Sequence, residues 1–382
     1  MKLRAALLAV TLLAAACGET AVADPVGAEA VTGSSTTTPT TTEAETTSTT
    51  TTSTTTTSTT TTTTTTTLPP VVLGFAGDTS FTHGNESRGP LVAVTELLAA
   101  PDFMVVNLET TVTEPGVGTK ANKTYTFRSP PESVDLLTEA GIDAVSLANN
   151  HTLDFARPAL LRTVELLDAG GVQHFGAGPD PDAAYAPLLV ELGGRTLAFV
   201  GLNRVPCDWS ASGENTRPEV AWTCDAFVPD ALAAVAAADE VADFTVVMVH
   251  WGIETKHCIE PWQRDLATAY IDRGADLVVG AHPHRLQGVE MIDGVWVAYS
   301  MGNFAFPSGR NAGADTGIFL FELNDAGVHL RVQPLRGPAG IVSTIDAATG
   351  DRILSDLTDY SFGVAFDEDG VASRTDEGGT CG

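Results

Sequence analysis

From Val71 onward the chain is a succession of short apolar runs, each closed by polar residues, and this rhythm restricts the fold more than any other feature. "VVLGFAG", "FMVVNLE", "DAVSLANNH", "TLAFVGLN", "FTVVMVH", "ADLVVGAH" and "VWVAYSMGNF" each read as a strand. They are apolar at almost every position, as strands covered on both faces should be. Amphipathic segments lie between them: "LVAVTELLAA", "ESVDLLTEAG", "ARPALLRTVELLDAG", Pro229 to Asp243 and Pro261 to Arg273. This alternation predicts an α/β fold whose sheets contain parallel strands. No helical segment separates "TGIFLFELN" from "GVHLRVQPL", so these two runs predict an antiparallel pair. The stretch 341–382 is acidic and glycine-rich and is expected to be a weakly ordered extension.

The residues that close the runs carry the chemistry. In order they are Asp78, Glu109, Asn149-Asn150-His151, His250-Trp251-Gly252, His282-Pro283-His284 and Ser300-Met301-Gly302-Asn303. Sites in α/β sheets form at the carboxyl ends of strands. Four of the chain's eight histidines sit at such ends. A single strand-end histidine is usually a structural hydrogen-bonder; a series of carboxylates, an amide and imidazoles along one edge points instead to a metal centre. Divalent transition metals accept imidazole nitrogen and carboxylate oxygen. Two neighbouring cations need an anionic bridge, which a carboxylate supplies, and an imidazole outside the coordination shell can move a proton. "HPH" read as an extended segment would point both imidazoles the same way, with Pro283 restricting the backbone.

The ordered series GD, NLE, NNH, HWG, GAHPH and SxGNF, with "YTFRSPP" and "HFGAGPDPDAAYAP" between its members, resembles the poly-γ-glutamate capsule biosynthesis (CapA-type) family. That family falls in the calcineurin-like metallophosphoesterase superfamily. The likeness runs from about Val71 to Leu335 and implies a four-layer sandwich of mixed sheets flanked by helices, over a domain at 71–340. It implies divalent metal, manganese, zinc or iron, at one or two ions per chain. By the resemblance, Asp78 and His284 are first-metal ligands and Glu109 is the bridging carboxylate. Asn150, His250 and His282 are second-metal ligands, and His151 is the general acid or orients an anionic substrate. Asn303 lies in a motif of the capsule family, where holding a backbone turn is its plainest role. The chain departs from the superfamily in one place. "GDTSFTHG" sets Ser80 where Asp-x-His is usual, which removes a ligand from the first metal; His83 is a weak substitute. Arg128 is the expected contact for an anionic substrate group. Lys256 and His257 are placed at the rim, Trp251 in packing, and His174 and His329 in structural roles.

The start of the chain reads as an export signal at 1–23, with Lys2 and Arg4 before an apolar stretch too short to span a bilayer. "LLAAAC" resembles a bacterial lipobox, with Cys17 the lipidated residue; ordinary cleavage after Ala23 in "AVAD" is the alternative and gives a secreted protein. Segment 24–70 holds the Thr/Ser tract Ser34 to Thr67, which cannot bury enough apolar surface to fold and is expected to be a disordered stalk. Extended at roughly 3.3 Å per residue, it reaches on the order of 110 Å.

The net charge is −28, with 20 basic residues against 48 acidic ones, which argues against nucleic acid as a partner. Beyond Cys17 there remain Cys207, Cys224, Cys258 and Cys381, an even number that suggests disulfides in an exported chain. Cys207 with Cys224 is the favoured pair, because both lie in one irregular stretch; Cys258 with Cys381 would then tie back the tail. The leading expectation is an extracytoplasmic, lipid-anchored, metal-dependent hydrolase or transferase. Its partners would be an anionic envelope polymer or precursor and membrane proteins of polymer synthesis. The alternatives are a non-catalytic, metal-stabilised scaffold of a synthesis and export complex, and a general secreted phosphoesterase.

Overall fold

The computed structural model describes residues 68–207, 219–307 and 309–381. The expected signal peptide, Cys17 and the Thr/Ser tract lie outside the described residues. In chain order the strands are β1 (Val71–Thr79), β2 (Phe103–Leu108), β3 (Thr111–Val112), β4 (Arg128–Ser129), β5 (Ala144–Ser146), β6 (Gln173–Phe175), β7 (Leu188–Leu192), β8 (Arg195–Asn203), β9 (Phe244–His250), β10 (Leu277–Ala281), β11 (Val289–Ile292), β12 (Val295–Ala298), β13 (Asp315–Asn324), β14 (Gly327–Arg336), β15 (Phe362–Phe366) and β16 (Ala372–Gly378). The helices are α1 (Thr95–Leu98), α2 (Ser133–Glu139), α3 (Ala156–Gly170), α4 (Pro181–Tyr185), α5 (Val228–Val241), α6 (Pro261–Ile271) and α7 (Ala347–Tyr360).

Two mixed sheets result. One has the order β14-β13-β1-β2-β5-β6 and the other β16-β15-β11-β12-β10-β9-β8-β7. In the first, β1, β2, β5 and β6 run parallel, and β13 and β14 form the expected antiparallel pair. In the second, β8, β9, β10 and β12 run parallel.

Strand periodicity explains how the sheets stack. Side chains alternate between faces along a strand. On β2, Phe103 and Val105 enter the core shared with the other sheet, while Met104 and Val106 enter a second core with helices α2 and α3. On β9, Val246 and Met248 face the shared core, while Val247 and Val249 meet α5 and α6. Each central strand is therefore covered on both sides, which accounts for the uninterrupted apolar runs. The layers are helix, sheet, sheet, helix: the four-layer sandwich implied by the resemblance.

Three expectations need correction. The helix read from "LVAVTELLAA" shrinks to a single turn of 3-10 helix at Val92–Val94 and the short α1. The 341–382 stretch is not a weakly ordered extension. It folds as α7, β15 and β16, and β15 joins the second sheet parallel to β11. Asp346 caps α7 by accepting from the Thr349 N–H at 2.8 Å, and Ile353, Leu354 and Leu357 form its buried face. The folded body thus continues past residue 340. Of the two expected disulfides one forms and the other does not. Cys258 and Cys381 are joined, whereas Cys207 and Cys224 carry no disulfide. The Cys207 thiol is turned to its own loop and donates to the Arg204 carbonyl at 2.8 Å.

Candidate metal centre

The two sheets meet at the carboxyl ends of their parallel strands, and Gly77 allows the approach. A side chain at Gly77 would lie 1.9 Å from the Gly302 carbonyl oxygen; within the second sheet, one at Gly280 would lie 2.0 Å from that of Tyr299. The Asp78 N–H donates to Gly302 O at 2.9 Å, and Phe304 N–H donates back to Asp78 O at 2.8 Å. Asp78 is thereby stitched to the segment after β12. Glu109 follows β2, Asn150 and His151 follow β5, His250 ends β9, and His282 and His284 follow β10.

These residues converge. Asp78, Glu109 and His284 form one group, and Glu109, His250 and His282 form another; in each, one ligand atom per residue lies within 4.8 Å of the rest. Glu109 belongs to both. Its Oε1 is 3.4 Å from His250 Nε2, and its Oε2 is 3.9 Å from His284 Nδ1. His284 Nδ1 is 3.0 Å from Asp78 Oδ2, and His282 Nδ1 is 3.1 Å from His250 Nε2. Asn150 Oδ1 lies 2.9 Å from His250 Nε2, which adds an amide oxygen to the second group.

The backbone achieves this by an unexpected route. His282 and His284 both take positive φ, 102° and 55°. The HPH segment is therefore kinked rather than extended, and it delivers its two imidazoles to different groups. Left-handed geometry at a residue with a Cβ costs on the order of 1–3 kcal/mol, and such strain gathers at functional sites.

The donor set fits a cation. Both Glu109 carboxylate oxygens are buried without a hydrogen-bond partner. A buried, unpartnered carboxylate is costly unless a charge offsets it. Burial, and then the charge of Asp78, push Glu109 well above the usual carboxylate range. At Asp78 burial pulls the same way, but the hydrogen bond and charge of His284 win and hold it low. Burial drives His250 down to about 3 and His282 well below the usual imidazole range. Both are neutral nitrogen donors at pH 7. Burial opposes protonation of His284 too, but Glu109 and Asp78 carry it up to about 9.

Around the two groups lies a supporting shell that the sequence reading missed in part. Asn107 Nδ2 is 2.8 Å from Asp78 Oδ1 and 3.1 Å from His250 Nδ1. Asn303 Oδ1 is 2.8 Å from His284 Nδ1, so this residue orients a ligand, while its Nδ2 donates to Gly313 O at 2.9 Å and ties down the turn. His151 Nε2 lies 3.8 Å from Glu109 Oε1, and its Nδ1 is 2.7 Å from Asp154 Oδ2. Lys123 makes an ion pair with Asp154 and donates to Asn150 O at 2.7 Å. Phe127 lies against the His151 ring at 4.1 Å, and Phe306 covers His284 at 4.7 Å. The His-x-x-Asp spacing of "HTLD" was the available signal for Asp154; nothing local marks Lys123.

Arg128 does not fill its expected role. Its guanidinium donates to the carbonyls of Glu114 at 2.7 Å and Val117 at 2.8 Å and lies over the Phe155 ring at 3.8 Å. It braces a loop, and the cation beside the centre is Lys123. His83 is exposed and does not reach the cluster. Ser80 is buried, with its hydroxyl 3.5 Å from Thr82 Oγ1. His257 is bonded to Leu286 O at 3.0 Å and packs on Tyr360. Trp251 is fully buried, donating to Tyr299 O at 2.8 Å, which is a packing role.

Residues 71–308 match the family described as bacterial capsule synthesis protein PGA_cap. A PGA biosynthesis protein CapA of Bacillus subtilis (strain 168) is 30% identical over 61% of this chain and 61% of its own length. The capsule biosynthesis protein CapA of Bacillus anthracis is 28% identical over 63% of this chain and 59% of its own. A probable polyglutamine synthesis accessory protein of Mycobacterium tuberculosis (strain ATCC 25618 / H37Rv) is 34% identical over 56% and 58%. The match thus spans about three-fifths of each of these curated relatives. A solved structure of a novel phosphatase from Mycoplasma pneumoniae superposes with a TM-score of 0.47 at 13% identity, covering 75% of this chain and 97% of that one. With the matched region taking in every residue of the two donor groups, the chain belongs to the bacterial capsule synthesis protein family PGA_cap.

Proposed function

We propose that the protein is an extracytoplasmic, divalent-metal-dependent hydrolase or transferase acting on an anionic envelope polymer, poly-γ-glutamate or a chemical relative. The observation that carries this reading is the pair of donor groups sharing Glu109, whose two oxygens are buried and otherwise unpartnered. Asp78, Glu109 and His284 would hold one cation; Glu109, His250, His282 and Asn150 would hold the other. Bound there, such ions supply Lewis-acid polarisation of an acyl or phosphoryl oxygen and activation of water near neutral pH. His151 turns Nε2 towards Glu109 and is the group placed to take up and pass on a proton at the reacting atoms, or to orient an anionic substrate. Asp154, at Nδ1, fixes the ring, and Lys123 holds Asp154. Phe127 and Phe306 shield the imidazoles from water. The metal is manganese, zinc or iron, and the group lacking a ligand at Ser80 is the weaker of the two. Lipid anchoring at Cys17, an extended stalk and contact with membrane proteins of polymer synthesis complete the proposal.

The substrate class draws on the relatives' names and on charge. Lys123 lies beside the centre, paired with Asp154, and Lys256 sits in the loop at 251–257 that runs against the HPH segment. In a chain of net charge −28, they and the cations are the local attraction for a polyanion. The test is turnover by manganese-loaded protein on γ-glutamyl amides and on phosphoesters, beside His151→Ala. Metal-dependent turnover that His151→Ala abolishes at unchanged metal content supports the enzyme. Absence of turnover on both classes favours the second reading, a metal-stabilised scaffold, for which the lost ligand at Ser80 speaks.

A further inference from the structure

The family match stops at residue 308, yet the chain continues through α7, β15 and β16 to a disulfide that returns to Cys258. We propose that the Cys258–Cys381 bridge is a covalent brace on the two loops that carry the histidine ligands, so that cation binding depends on its being oxidised. The second half of this inference rests on the metal reading above; the first does not.

The loop at 251–260 and the segment at 281–288 lie side by side. Trp251 N–H donates to Ala281 O at 3.0 Å, and Thr255 N–H donates to Pro283 O at 2.7 Å, between the two histidines of HPH. His257 Nδ1 meets Leu286 O at 3.0 Å. Gln287 Nε2 lies 3.2 Å from Lys256 O and 3.3 Å from Cys258 O. One strip thus starts at His250 and the other at His282, and Cys258 closes the ladder between them. The tail grips the same place from the far side. Tyr360 packs on the His257 ring at 4.6 Å, and Val289 N–H donates to Ser361 Oγ at 2.8 Å. Gly379 N–H donates to Ser361 O at 3.0 Å, and Thr380 N–H donates to Asp359 O at 2.7 Å. Cys381 follows directly.

The loop needs such a brace. Residues 253–256 are exposed, so little apolar burial holds them, and segments of that kind open locally at low cost. The adjoining segment carries the left-handed His282 and His284. A cross-link between residues 123 apart in sequence limits how far both can open. Cys258 is itself exposed and open to thiol–disulfide chemistry. Forming the bond removes two electrons and two protons from the thiols, taken up by a disulfide oxidant that becomes a dithiol. A phosphine reverses it: phosphorus gives two electrons to the S–S bond, and water supplies the two thiol protons and the oxygen of the phosphine oxide.

The experiment compares three samples of the full chain: oxidised, reduced with a water-soluble phosphine, and Cys258→Ser/Cys381→Ser. Each is stripped of metal, followed by hydrogen exchange, then titrated with manganese. Loss of the bridge is expected to speed exchange at least tenfold in 251–260 and 281–288, to leave β1 and β2 unchanged, and to weaken manganese binding at least tenfold. Exchange and affinity within twofold of the oxidised protein, with the bridge shown by mass to be absent, overturn the brace. If the double variant fails to fold, the phosphine-treated protein carries the comparison, since it is reduced after folding. An oxidised chain that binds none of manganese, zinc and iron overturns the metal reading, while loop exchange in the same samples still decides the brace.

Discussion

Glu109 occupies the one position that both donor groups need, and its environment shows why. Burial and the neighbouring charge of Asp78 push its carboxyl well above the usual range, and cations at the two imidazole-lined flanks would offset that cost and favour its charged form. Glu109→Gln removes that charge, and metal content measured by mass spectrometry should fall to less than about a tenth of the wild-type value. His284 sets the pH dependence. Its pKa stands at about 9 in the metal-free protein, so below that pH a cation must displace a proton. Manganese affinity should rise as pH is taken from 6 to 9, with heat of binding that depends on the buffer's ionisation enthalpy; a flat profile contradicts this assignment. His151→Ala should lower turnover by about 10²–10⁴-fold at unchanged metal content. Asp154→Asn, acting through His151, should cost about 10–100-fold. Every proposed ligand was legible because it closes an apolar run, and burial on both strand faces makes such runs conspicuous. Arg128 was misread because its partners are carbonyls at Glu114 and Val117, which no local pattern reveals. Lys123 was missed because its value comes from Asp154, brought close only by the turn after His151.

At the scale of elements, the central strands declared themselves, and of the peripheral ones β14 did but β7, β15 and β16 did not. β8, β9 and β10 are buried on both faces, whereas β7 alternates intermediate and exposed positions and is not among the runs read as strands. The C-terminal elements were hidden by composition. Acidic residues dilute α7, yet Ile353, Leu354 and Leu357 keep helical spacing and pack in the core between the sheets. Leu357 is fully buried, so Leu357→Ala should destabilise the chain by about 2–5 kcal/mol in urea unfolding. A loss under about 0.5 kcal/mol would show the extension to be a loose appendage. HPH carries a related lesson: its chemistry was plain in the residues, but its kinked geometry depends on β10 ending against the Asp78 segment, as the His282 N–H 3.3 Å from Asp78 Oδ1 shows.

For the molecule as a whole, two sheets sharing one core bring their strand ends to a common edge, and the chemistry follows from that meeting. A protein of net charge −28 has little affinity for polyanions by itself, so any attraction must be local. Chelation should therefore weaken binding of a polyglutamate chain at least tenfold, read by fluorescence anisotropy. Among the described residues no helix is long and apolar enough to cross a membrane. The most direct measurement of the shared centre is anomalous diffraction at the manganese edge from crystals soaked in that ion. Peaks flanking the Glu109 carboxylate are expected, one towards Asp78 and His284 and one towards His250 and His282. Manganese bound elsewhere, or no peak beside Glu109 at saturating ion, contradicts a centre built on that residue.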